Sequence, residues 1–144
     1  MAAPTGAAFR VSGHTASMHT SSLVLYAGRE VAVDVWADSP AATPELAVFD
    51  ARARAAMRAE WDEPGSDVRD YLAHHVEDLD EVHMAELSPE AFIAGLHLSR
   101  VGLYPDDPRH HAVFDYTTGR DITDNLIAVK FDAAGAVVQI AMES

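Results

Sequence analysis

The side chains in this sequence best suited to ligating a cation or moving a proton are its histidines and carboxylates. Asp70, His74 and Asp78 recur at intervals of four. On a helix, that spacing stacks them along one face. A histidine between two carboxylates holds its proton more tightly, which suits a pH-responsive site or a weak divalent-cation site. The same spacing equally describes an exposed charge pair worth roughly a few tenths of a kcal/mol. His110 and His111 follow the Pro105-Asp106-Asp107-Pro108 turn. Neighbouring strand residues face opposite ways, so these two cannot readily share one ion. A metal site there requires the fold to gather His83, His97, Asp106 or Asp107 around them. Zinc takes three or four ligands at about 2.0–2.3 Å, and no His-Glu-x-x-His spacing occurs. Asp121, Asp124 and Asn125 offer oxygen ligands but lack the alternating acids of a calcium loop. Turn and strand-start roles account for them equally well.

Other chemistry is poorly provided for. No Ser lies in a Gly-x-Ser-x-Gly elbow, and no Gly-x-x-x-x-Gly-Lys phosphate loop occurs. The single lysine, Lys130, lies in an apolar run and is expected to extend its ammonium towards an open sheet face. There is no cysteine, which excludes disulfides and thiolate metal sites. No cofactor is expected.

Charge is the most pronounced feature. Ten Lys and Arg face 23 Asp and Glu, a formal net charge of −13. Such a chain repels phosphate backbones and anionic membranes, and attracts cations and basic proteins. Eleven of the acids lie between Glu60 and Glu90, opposed only by Arg69. Within that stretch, Glu60, Asp62, Glu63, Asp67, Asp70, Glu77, Asp78, Asp80 and Glu81 form the candidate partner-binding surface. An acid-rich surface steers a basic partner. A simple solvated helix face has the same composition.

These residues need a scaffold, and the 144 residues suit one domain. Residues 1–17 read as a flexible leader with a short edge strand near Phe9-Arg10-Val11. Residues 18–144 read as a single α+β domain. Ser22 to Tyr26 and Val31 to Val35 form a hairpin turned at Ala27-Gly28-Arg29, with Gly28 free to take positive φ. Thr43, Pro44 and Glu45 predict a helix start, and Leu46, Phe49, Ala53, Met57 and Trp61 mark an apolar stripe to residue 61. A second helix begins at Ser66 with the seam Val68, Leu72, Val76 and Leu79. In it, His75 is expected to border the core. A third begins at Ser88 and buries Phe92, Ile93 and Leu96.

Strands are predicted at 98–104, 112–116, 126–131 and 137–142, with a turn at Asp132-Ala133-Ala134-Gly135. Runs of like elements predict an antiparallel sheet of five to six strands with about three helices on one face. The final hairpin is expected at the sheet centre, and Trp36, Tyr26 or Tyr116 on the uncovered face.

The segments Phe114-Asp115-Tyr116, Asn125 to Asp132, Gly135, Ile140 and Glu143-Ser144 carry a resemblance. With Gly102-Leu103-Tyr104-Pro105 and the Tyr26/Gly28 hairpin, the chain resembles a bacterial family of small acidic domains of unknown function over residues 18–144. The residues concerned belong to strands and turns, so the resemblance implies a fold. By analogy with small acidic bacterial domains that accompany toxins, it implies an immunity-like or accessory role.

Two functions follow as expectations. One is a protein-interaction module, cytoplasmic, that binds a basic partner and neither nucleic acid nor membrane, with homodimerisation as a further option. The alternative is a small metal-dependent enzyme built on a His/Asp cluster, with His74, Asp70, Asp78, His110 and His111 as candidate ligands.

Overall fold

The computed structural model describes residues 10–11, 14–15, 18–37, 45–74, 88–118 and 125–143. Strands β1 (Arg10–Val11) and β2 (His14–Thr15) pair as a short antiparallel ribbon. The rest of the expected leader lies outside the described residues. Strand β3 (Met18–Tyr26) pairs with β4 (Arg29–Ala37) through a two-residue turn. Both turn residues have positive φ, Ala27 at 52° and Gly28 at 77°. That is the hairpin turn whose twist matches its strands.

Helix α1 spans Leu46–Trp61, α2 Asp67–His74 and α3 Pro89–Gly95. Strands β5 (His97–Leu103), β6 (Ala112–Thr117), β7 (Leu126–Phe131) and β8 (Val137–Glu143) complete the chain. The fold is α+β, with a six-stranded sheet in the order β3-β4-β5-β6-β7-β8.

Two details of the predicted sheet are corrected. The sheet is mixed, because β4 and β5 run parallel while the other four pairs are antiparallel. Parallel neighbours need a long crossover, and the helical segment between Ala37 and His97 supplies one. The final hairpin is also not central: β5 and β6 hold the middle and β8 is an edge. Only β7 is apolar on both faces, with Ile127, Ala128 and Val129 all buried. Strand β8 is half-buried or exposed throughout.

Alternation along the paired strands sorts the two faces. Val31, Val33, Val101, Leu103, Phe114, Tyr116, Ile127, Val129 and Phe131 turn to the helices and are buried. Helix α1 lays Leu46, Ala53 and Met57 on them. Phe49 reaches Phe114 and Phe131 at ring-centroid distances of 5.8 and 4.9 Å. Val68, Tyr71 and Leu72 of α2 and Phe92 and Ile93 of α3 close the core.

Capping follows the sequence at two helices of three. Ser66 accepts the Arg69 N–H and Ser88 the Ala91 N–H, each three residues on. At α1, Thr43 and Pro44 lie outside the described residues, and Glu45 occupies the cap position without a side-chain bond. His75, Val76 and Leu79 also lie outside.

Turn 132–135 is as predicted. Gly135 has φ 83°, and the Asp132 carboxylate accepts the backbone N–H groups of Ala134 and Ala136. Arg52 donates to the Gly135 carbonyl, so its Nη1 stands 2.7 Å from where a Cβ would be. The positive φ demands glycine there, whereas a Cβ would only push aside the tip of the flexible Arg52 side chain.

Candidate functional site

Not all of the predicted acidic surface is free for a partner. The Glu60 carboxylate is turned inward at the elbow between α1 and α2. It accepts the Ser66 hydroxyl and the Val68 N–H, capping α2. Asp62 is exposed and pairs with Arg58 at 3.1 Å. Arg58 also pairs with Glu90 at the start of α3, tying the elbow to that helix. This pairing holds the Glu90 carboxyl below its usual range. Glu63 is exposed beyond the elbow, and its carbonyl accepts Arg69. Asp67 is half-buried and Asp70 exposed in the first turn of α2, where the macrodipole favours acids. Glu77, Asp78, Asp80 and Glu81 lie outside the described residues.

Most of the described cations, by contrast, are occupied. Arg52, Arg54, Arg58, Arg69, Arg100 and Lys130 each hold a carboxylate or a backbone carbonyl. Lys130 lies on the uncovered sheet face as expected and meets Glu143 at 3.2 Å.

That uncovered face carries a row of charges. Arg100 on β5 donates to Asp34 on β4 at 2.7 Å, and His19 on β3 meets the same carboxylate at 3.1 Å. The His19 ring stacks on Trp36, with centroids 3.8 Å apart. Burial alone would raise the Asp34 pKa. Hydrogen bonds from Ser21, His19 and Arg100 outweigh it and hold the carboxyl at about 2. A carboxyl depressed when folded adds stability above its unfolded value, and that stability is lost as pH falls from about 3.8 towards 2. Asp34→Asn should therefore melt earlier than the parent at pH 7 by about 1–2 kcal/mol, reduced by the exposure of Arg100. The gap should close near pH 2 in matched thermal melts. A gap that persists unchanged at low pH would remove the ionic explanation.

The most highly organised polar group is not among the sequence candidates. Asp50 occupies a core position of α1 and is 9% exposed. Its Oδ1 accepts the Tyr116 hydroxyl at 2.7 Å and Arg54 Nε at 2.9 Å, and its Oδ2 accepts the Tyr26 hydroxyl at 2.8 Å. Arg54 lies over the Tyr116 ring, 5.2 Å from its centroid, and donates to the carbonyls of Ile93 and Leu96. Burial first, then the Asp50 carboxylate, push the Tyr26 and Tyr116 hydroxyls above the usual phenol range. Both remain proton donors. The two tyrosines expected on the uncovered face thus lie beneath α1, and Trp36 alone of the three is on the open face.

Beside this network lies a cavity of about 260 Å³. Tyr26, Arg29, Arg54 and His97 supply its polar lining. Burial, followed by the charges of Arg29 and Arg54, lowers the His97 pKa.

No family model, curated protein or solved structure matches this chain.

The remaining metal candidates are placed as follows. His74 belongs to α2, and Asp78 lies outside the described residues. The Asp107 carboxylate is engaged by the backbone N–H groups of Arg109 and His110, which hold its pKa down. His111 is half-buried, and its Nδ1 makes no hydrogen bond among the described residues. Among those residues, no three His, Asp or Glu side chains converge on a cation position. His97 is at the cavity with two arginines, an environment that disfavours a cation. No described helix is long and apolar enough to cross a membrane.

The signal for the Asp50 network was present but faint. Asp50 interrupts the stripe between Leu46 and Ala53, and Arg54 follows it by one turn. An acid on a buried stripe requires partners. Nothing local identifies them as Tyr26 and Tyr116.

Proposed function

We propose that this chain is a protein-interaction module that engages a basic partner through the side formed by the α1–α2 elbow and α2. The observation that carries this reading is the crowding of carboxylates on one side of the molecule. Among the described residues, six cationic side chains are tied to carboxylates or carbonyls of the chain itself. Glu63 and Asp70 are exposed and Asp67 half-buried along one short stretch, beside the Arg58-bridged pair Asp62 and Glu90. A negative surface of this kind accelerates encounter with a positive one and rejects like-charged competitors. An immunity-like or accessory role is the biological form that suits such a module, by analogy.

Exposed charges are screened over about 8 Å at physiological ionic strength. Affinity for the partner, measured by calorimetry with purified components, should fall about tenfold or more between 50 mM and 300 mM salt, numbers set by that screening. The triple variant Glu63→Lys, Asp67→Lys, Asp70→Lys should reverse the preference while keeping the parent's far-ultraviolet circular dichroism. A partner bound equally well by parent and variant, at any salt, would remove the acidic side from the account.

A further inference from the structure

The cavity near Asp50 contradicts the charge of the molecule as a whole. The chain carries −13, yet this cavity is lined by two guanidinium groups and an imidazole. It lies at one end of the sheet, between the tip of the β3–β4 hairpin and the junction of α3 with β5. Tyr26 and Arg29 flank the hairpin turn, Leu96 and His97 form the junction, and Arg54 reaches in from α1. No carboxylate is among its described lining residues. Asp50, the nearest acid on the network, has both oxygens occupied by Tyr26, Tyr116 and Arg54.

The donors left over face a common need. An arginine offers five N–H groups. Arg54 uses three, on Asp50, Ile93 and Leu96, and keeps two. Those three bonds also fix its guanidinium in place. Arg29 has no ion pair or hydrogen bond among the described residues, and His97 has none either. Fixed or converging guanidinium groups recognise oxyanions by paired N–H donation. We propose that this cavity is a binding site for a small oxyanion, a carboxylate or a phosphoryl group on a short stem. Arg29, the spare N–H groups of Arg54 and the His97 imidazole hold it. The site is independent of the acidic elbow.

Bound charge here must register on His97. Its imidazole is kept from protonating by burial and by the two arginines. A bound oxyanion cancels part of that field, so binding draws a proton onto His97. Proton nuclear magnetic resonance of the histidine ring, with His97→Gln to identify the signal, reads this directly. Inorganic phosphate and acetate are titrated separately into the full chain near pH 6.5, with ionic strength held constant by chloride.

A saturable shift of the His97 signal and a rise in its apparent pKa are expected. Saturation with phosphate alone identifies a phosphoryl ligand, and saturation with acetate a carboxylate. Arg29→Gln, at an exposed turn position, should weaken binding roughly tenfold, as one lost charge-assisted contact does. Arg29→Lys should retain part of it. The absence of a saturable shift with either anion, or equal binding by Arg29→Gln, overturns the proposal.

Discussion

Replacing Asp50 with alanine should lower the stability of this domain by about 3 kcal/mol, the cost of unpairing buried polar partners. The figure follows from what the carboxylate leaves behind. Tyr116 is fully buried, and its hydroxyl bonds to Asp50 at 2.7 Å. Without that oxygen it becomes a buried donor with nothing to receive it. Arg54 loses its only carboxylate among the described residues while still held by two carbonyls inside the α1–α3 contact. Its side chain is 26% exposed, so water recovers some of the loss and the cost stays at the low end for a broken buried pair.

For a domain of this size the drop in Tm should be roughly 10 °C. Tyr116→Phe removes one bond and leaves Asp50 two donors, so it should cost about 1 kcal/mol. Tyr26→Phe should cost less, because Tyr26 is half-exposed. Thermal melts at pH 7 decide the matter. An Asp50→Ala protein melting within about 2 °C of the parent would mean that the network is a passenger of the packing, since roughly 1 kcal/mol or less would then be at stake.

The contrast between Asp50 and the strands shows what a sequence can disclose. The bounds of Leu126–Phe131 are legible because their information is local: a continuous apolar run ended by a turn. The Ser88-Pro89-Glu90 start of α3 is likewise complete within three residues. The parallel junction of β4 with β5 is not local. It depends on where the crossover returns, and Val33 meets Val101 only in space.

The same holds for the Asp50 partners, which lie 24 and 66 residues away along the chain. Acid density between Glu60 and Glu90 was plain from composition. Which acids face solvent was not, because Glu60 turns inward to cap α2 and Asp62 meets Arg58. Composition counts charges and the fold spends some of them on itself. The cavity at Arg29, Arg54 and His97 joins β4, α1 and β5, so no window along the sequence contains it.

Deletion of the last six residues, 139–144, should abolish cooperative folding altogether. An edge strand is ordinarily the most expendable part of a sheet, and β8 is an edge. Its position in the packing says otherwise. Helices α1 and α2 both lie against β8, so it supports the helical layer as well as the sheet. Ile140 and Met142 pack on the core, and β8 pairs with β7 from Leu126 to Phe131. Full burial of such a side chain contributes about 1.5–3 kcal/mol, and these two, half-buried, contribute roughly half of that each.

Their loss would also uncover Ile127 and Val129, each now fully buried and paired with Met142 and Ile140, and strip most of the β8 backbone partners from β7. The sum approaches the whole stability of a small domain, about 5–15 kcal/mol. The truncated chain should show no sigmoidal melt and should bind a hydrophobic dye at 25 °C, the marks of lost packing. Met142→Ala in the full chain, at a half-buried position, should lose only about 1 kcal/mol and still melt cooperatively, which separates the strand from its largest side chain. If the truncated protein instead melts cooperatively, α2 must be held by β7 and α1 without β8, and the edge would be a cover rather than a foundation.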